Sequence, residues 1–131
     1  MYYENSAAGG VEEFLYDPSK IPDLSKKAAK HAMNDHMPRK YANQLLYNTD
    51  TQAIEQYLSY KSFFNVSWSE EQVRAALNFG YKEAIGKGFY HGTYEFTYLG
   101  ETVYVALDNG VFKTGYGVYH YTIEELKALL S

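Results

Sequence analysis

The sequence predicts an α+β domain: N-terminal helices, then an antiparallel β-meander, then a short C-terminal helix. Three observations predict it. Apolar residues recur at three- and four-residue spacing through the first two thirds of the chain. From Thr93 onward the composition shifts to Tyr, Val, Phe and Thr, the residues that favour strands. Asn109-Gly110 separates two of these later runs and is a strong short-range signal for a two-residue hairpin.

Residues 1–20 are expected to form a flexible leader or joint. Ser6-Ala7-Ala8-Gly9-Gly10 has no periodic pattern, and Glu4, Glu12, Glu13 and Asp17 bring acid without base before Lys20. Phe14, Leu15 and Tyr16 are placed to pin the end of the leader to the core. A single domain is expected over residues 21–131. Its first helix starts near Asp23 or Ser25, both good N-caps, and is carried by Ala28, Ala29 and Ala32. It stops around Met37, because the residue before Pro38 avoids helical backbone. Pro38 opens a second helix through Tyr41, Leu45 and Leu46. After a break at residues 47–50, a third helix is expected from Thr51 to Phe63, with Ile54, Tyr57, Leu58 and Lys61 on one side. Ser67 and Glu70 have capping-box spacing and open a fourth helix. Its apolar stripe is Val73, Ala76, Leu77, Gly80 and Ala84, and Gly86-Lys87-Gly88 ends it. Strands are expected over residues 93–98, 102–108 and 111–119, with turns at Leu99-Gly100 and Asn109-Gly110. Thr122 and Glu125 form a second capping box and open the last helix, through Leu126, Leu129 and Leu130.

A chain of 131 residues with 46% hydrophobic residues suffices for one packed core. No apolar run approaches the ~20 residues of a membrane helix. The start, Met1-Tyr2-Tyr3-Glu4, has neither the basic nor the apolar character of a signal peptide. The absence of cysteine removes disulfides, cysteine-bound zinc, iron–sulfur clusters and thiol catalysis from consideration. A net charge of −4 speaks against non-specific binding to a polyanion, but the charge is uneven. Between residues 26 and 40, Lys26, Lys27, Lys30, Arg39 and Lys40 face a single carboxylate, Asp35. His31 and His36 lie in the same stretch. The fifteen tyrosines suit a binding surface, each offering a stacking face and a hydroxyl.

Lys27, His31 and Asp35 share one helix face at four-residue spacing. The cation lowers an imidazole pKa, whereas the carboxylate raises it and orients the ring. Such a trio sets a histidine to work near neutral pH, although the same spacing also describes an ordinary solvated face. His36 lies five residues on, about 140° around a straight helix. That is not the i, i+4 geometry of a zinc helix, and no HExxH motif is present, so neither a metal nor another cofactor is expected. If the first helix ends near Asn34, His36 falls in the turn and swings beside His31. Two histidines with lysines nearby suit metal-free cleavage of a phosphodiester. One takes the proton of a ribose 2′-hydroxyl, the other protonates the departing 5′-oxygen, and a lysine stabilises the charge growing on the phosphate. Lys27, Lys30, Arg39, Lys40 and Lys113 are the candidate phosphate-binding cations.

The last strand carries a second cluster. Regular alternation puts Phe112, Thr114, Tyr116, Val118 and His120 on one face, with Lys113, Gly115, Gly117 and Tyr119 on the other. Gly115 and Gly117 mark close approach by a ligand or another backbone. Thr114 offers a hydroxyl to a phosphate, and Tyr116 a ring or a proton. The alternative is a core face, with the glycines accommodating a bulge. Trp68 is expected to act as a staple at the fourth helix. Gly86-Lys87-Gly88 lacks the spacing of a P-loop.

Taken in order, these parts are Lys30-His31 on an early helix, His36 shortly after, a helical middle with Ile54 and Tyr57, and a meander ending in YVALDNGVFKTGYGVY. They resemble the BECR superfamily, the Barnase–EndoU–colicin–RelE-like ribonucleases. More narrowly, the chain is similar to C-terminal toxin domains of bacterial polymorphic and contact-dependent growth inhibition systems. Those domains pair an N-terminal helical histidine with a Thr/Ser-x-Tyr/Phe on a late strand. The matching positions are His31, His36, Thr114 and Tyr116, and the similarity spans about residues 24–120. The resemblance implies a metal-independent endoribonuclease, with tRNA the commonest substrate class and a 2′,3′-cyclic phosphate product. It also implies a cognate immunity protein and delivery as an effector domain into the cytoplasm of a target bacterium. Lys27, Lys30 and Lys113 compete for the place of the lysine that EndoU-type enzymes use. The domain is expected to be a monomer. Its acidity and its tyrosines also fit a non-enzymatic protein-binding domain, an immunity protein or adaptor, which has no use for two histidines converging on a basic segment.

Overall fold

The computed structural model describes residues 14–46 and 50–130, so most of the expected leader and most of the break at residues 47–50 lie outside the described residues. Ser25 caps helix α1 (Lys26–His36), its hydroxyl accepting from the Ala28 N–H at 3.1 Å. Ala29, Ala32 and Met33 form the buried stripe. The helix runs unbroken past Asn34 to His36, so His36 does not lie in a turn. The Met37 N–H bonds the Met33 carbonyl at 2.9 Å and closes the last turn, and Met37 itself is extended before Pro38. Pro38 opens α2 (Pro38–Ala42), which tightens into a 3-10 turn over Asn43–Leu46. Asp50 caps α3 (Thr51–Leu58), which stops short of the expected Phe63. The backbone there has other partners. Phe63 exchanges two hydrogen bonds with Tyr119, at 2.7 and 3.0 Å, and the Phe64 N–H bonds the His36 carbonyl at 2.9 Å.

Ser69, rather than Ser67, caps α4 (Glu70–Gly86), in a capping box with Gln72. Ser67 is turned instead onto the Asn65 side chain, at 2.9 and 2.8 Å. Trp68 precedes the cap and is buried in the same cluster as Val73 at the fourth helical position, the arrangement of a hydrophobic staple. At the other end of α4, the N–H groups of Leu15 and Tyr16 both reach the Gly86 carbonyl, at 2.6 and 3.0 Å. Strands β1 (Gly92–Tyr98), β2 (Glu101–Asp108) and β3 (Val111–Tyr116) form an antiparallel meander in that order. Asn109 and Gly110 both have positive φ, 51° and 79°, as a tight hairpin turn demands. Thr122 and Glu125 cap α5 (Ile123–Ala128) reciprocally. The protein is thus α+β. No described helix is long and apolar enough to cross a membrane.

A β-bulge corrects the expected alternation of the last strand. Phe112 pairs with Leu107 whereas Thr114 pairs with Ala106, so Lys113 is the extra residue. Phe112 therefore faces the core, while Thr114 and Tyr116 lie on the opposite face with Ala106 and Tyr104. Gly115 falls on the core side, where a methyl would run into Leu77. A methyl at Gly117 would lie 2.7 Å from the Phe63 carbonyl oxygen. Both glycines answer to close packing of the protein on itself. Regular β3 pairing ends at Tyr116, and Tyr119 makes its own bridge to Phe63.

Two hydrophobic clusters result. In the larger, α1 and α4 cover Val103, Val105, Leu107 and Phe112 on one face of the sheet. The smaller joins α2, α3 and α5 through Tyr41, Leu45, Ile54, Leu58, Ile123 and Leu126. Phe63 belongs to the smaller cluster and Phe64 to the larger, so the segment 61–64 is the seam between them.

Candidate active site

The end of α1 delivers His36 to this seam. Its Nδ1 stands 2.8 Å from the Ser62 carbonyl oxygen. A carbonyl only accepts, so Nδ1 carries a proton and the neutral ring keeps its lone pair on Nε2. Burial, followed by the Lys61 cation, lowers the pKa of His36 from the ordinary histidine value, although the Ser62 bond and Asp35 oppose this. The imidazole is 5.4 Å from the Tyr116 ring, which is itself stacked on Tyr104 at 5.4 Å.

Lys61 comes from the turn after α3 and is only 6% exposed. Its Nζ lies 5.0, 5.1 and 5.6 Å from the ring centres of Tyr57, Tyr41 and Phe63, and it donates to the Tyr57 hydroxyl at 3.4 Å. No described carboxylate forms a salt bridge with it. The His120 Nδ1 donates to the Lys61 carbonyl at 3.0 Å and steadies the backbone from the other side. Desolvated cation–π contacts of this kind are worth about 2 kcal/mol. The result is an open cleft of about 340 Å³ lined by His36, Tyr57, Tyr60, Lys61, Ser62 and Tyr116. It joins a neutral nitrogen base, a desolvated cation and three phenols.

His31 is elsewhere. Its side chain is 72% exposed, with Nε2 4.0 Å from an Asp35 oxygen. It lines a separate open depression with Lys27, Lys30, Asn34, Phe112 and Lys113. The two histidines do not converge in one cleft, because the continuous α1 keeps them far apart around its axis. The bulge residue Lys113 comes to Lys27 and Lys30, and all three line the same depression as His31. Thr114 shares its sheet face with Tyr116, and its hydroxyl is buried without a hydrogen-bond partner. Lys40 is engaged with Glu70 at 3.0 Å, and Arg39 is exposed on α2; neither lines the His36 cleft or the His31 depression. Among the described residues, no group of three or more His, Cys, Asp or Glu is arranged to hold a metal ion.

Lys61, Tyr57 and Tyr60 were not among the residues that the sequence singled out for chemistry. The available signal was a lysine completing the stripe Ile54, Tyr57, Leu58, Lys61, where an apolar residue would continue the pattern. No family model matches the chain, and no curated protein or solved structure shows significant similarity to it.

Proposed function

We propose that the chain is a metal-independent endoribonuclease toxin domain, of the kind its sequence resembles, acting on RNA with tRNA the leading substrate class. The observation that carries the reading is one cleft holding an imidazole with a lowered pKa beside a nearly buried lysine cation. In this mechanism His36 Nε2 takes the proton of a ribose 2′-hydroxyl, and the 2′-oxygen attacks the phosphorus. Lys61 stabilises the charge that grows on the phosphoryl oxygens. The phosphorus–O5′ bond breaks, and the leaving oxygen takes the proton of the Tyr116 hydroxyl. The product is a 2′,3′-cyclic phosphate; solvent then takes the proton held by His36 and returns one to the Tyr116 oxygen. His31, Lys27, Lys30 and Lys113 guide the polyanion to the cleft without transferring a proton. A cognate immunity protein and delivery into a target bacterium belong to the same reading.

The test is inducible expression in bacteria with total RNA inspected on a denaturing gel, and cleavage by the purified protein in EDTA. Discrete fragments ending in cyclic phosphate are expected from the unaltered chain and from His31→Ala, and none from His36→Ala. Intact RNA with folded, unaltered protein refutes the reading and favours the protein-binding alternative.

A further inference from the structure

We infer that Tyr60 is a stacking face for an unpaired base next to the cleaved phosphate, so that the substrate is single-stranded RNA, a loop or an end, rather than a duplex. The inference rests on the ribonuclease reading above for the identity of its ligand. Tyr60 lines the cleft yet is 70% exposed. Its backbone is fixed, the N–H bonding the Tyr57 carbonyl at 3.3 Å. Its side chain, by contrast, has no hydrogen-bond or ring partner among the described residues. The other aromatic residues of the cleft are all engaged. Tyr116 is stacked on Tyr104, and Tyr57 lies under the Lys61 ammonium. Tyr60 thus adds an uncovered aromatic surface to a site whose remaining groups suit a phosphate and a ribose hydroxyl.

The geometry of nucleic acids then selects the substrate. In a helix both faces of each internal base are covered by its neighbours, so a base that stacks on Tyr60 must have left the helix. The adjacent cation, Lys61, sits low in the cleft at 6% exposure, and a splayed strand reaches it more readily than a rigid duplex does.

The test is fluorescence anisotropy on the full chain with two fully 2′-O-methylated RNAs of equal composition, a hairpin with an unpaired loop and a complete duplex. The hairpin is expected to bind at least about tenfold tighter than the duplex. Tyr60→Ala should weaken hairpin binding by roughly 5- to 150-fold, the span that base–aromatic stacking covers, and leave duplex binding unchanged. Tyr60→Trp should restore hairpin binding, and circular dichroism checks that each variant is folded. Equal affinity for the two RNAs, no binding of either, or an unchanged hairpin affinity in Tyr60→Ala overturns the inference. Cleavage of the unmethylated hairpin separates the two ideas. Cleavage with Tyr60-independent binding sinks the stacking site alone, and Tyr60-dependent binding without cleavage sinks the ribonuclease alone.

Discussion

Replacing Lys61 by methionine separates what a buried cation does for the fold from what it does in the cleft. Methionine keeps the unbranched apolar stem and drops the charge. Lys61 is 6% exposed, has no described carboxylate in salt-bridge range, and relies on three rings and one 3.4 Å hydrogen bond. Cation–π attraction returns about 2 kcal/mol when desolvated, whereas withdrawing an ammonium from water costs several kcal/mol. The fold therefore gains little from the charge. Lys61→Met is expected to leave the unfolding free energy unchanged or to raise it by up to about 2 kcal/mol. Activity should move the other way, with kcat falling roughly 10²- to 10³-fold, as when an enzyme loses a group that stabilises transition-state charge. A third readout ties the two together. After burial, Lys61 is the largest influence lowering the His36 pKa, so the titration midpoint of that imidazole should rise in the variant. Urea denaturation, single-turnover cleavage and proton NMR of the histidines measure the three effects. A stability loss above about 2 kcal/mol would make Lys61 a structural prop. Unchanged turnover would remove it from the site.

Thr114→Val replaces a buried hydroxyl without a partner by an isosteric methyl. It is expected to add about 1 kcal/mol of stability in urea, the order of cost of an unsatisfied buried polar group, and a lowered urea midpoint would contradict the orphaned hydroxyl. Gly117→Ala forces a methyl against the Phe63 carbonyl. It should cost about 1–3 kcal/mol by calorimetry, and a native melting temperature would refute the packing argument. His36 makes stability depend on pH with a definite sign, because its folded pKa is lowered. Above the unfolded histidine pKa neither state binds the proton, and as pH falls through it the unfolded state protonates first. Stability falls until pH passes the folded pKa and then levels. The urea midpoint should drop more between about pH 7.5 and about pH 5.5 in the native chain than in His36→Gln; equal drops would contradict the lowered pKa.

Caps and hairpin turns are decided within a few residues, which made Thr122 and Asn109-Gly110 legible from their immediate neighbours and narrowed the first cap to Asp23 or Ser25, of which Ser25 caps α1. The cap of α4 was placed two residues early, at Ser67, because two serines there stand at similar spacing to the helix and only Ser69 bonds into it. What was not legible depends on contacts distant in sequence. α3 stops early because Tyr119 and His36 compete for the backbone of Phe63 and Phe64. The bulge at Lys113 inverts the faces of Phe112 and Thr114, and a one-residue slip of that kind leaves no local mark. The site divided in the same way. His36 and Tyr116 were named from sequence and do come together, at 5.4 Å, whereas His31 was drawn in by its spacing to Asp35, which proves to be an exposed pairing. Lys61 was read as the tail of a helical stripe, and its value emerges only once three rings from two helices and the turn close over it.

The two clusters of the core pack largely within themselves and are registered to each other through the backbone of one short segment. His36 holds that segment from one side, through the Ser62 carbonyl and the Phe64 amide, and Tyr119 holds it from the other through Phe63. Imidazole and ammonium are therefore aligned only while both halves keep this grip. A small shear between the halves would misalign them. The amide protons of Phe63, Phe64 and Tyr119, each held in a bond across the seam, are accordingly gauges of its engagement: where they exchange faster than amides inside α4 and β2, the seam opens before the halves do.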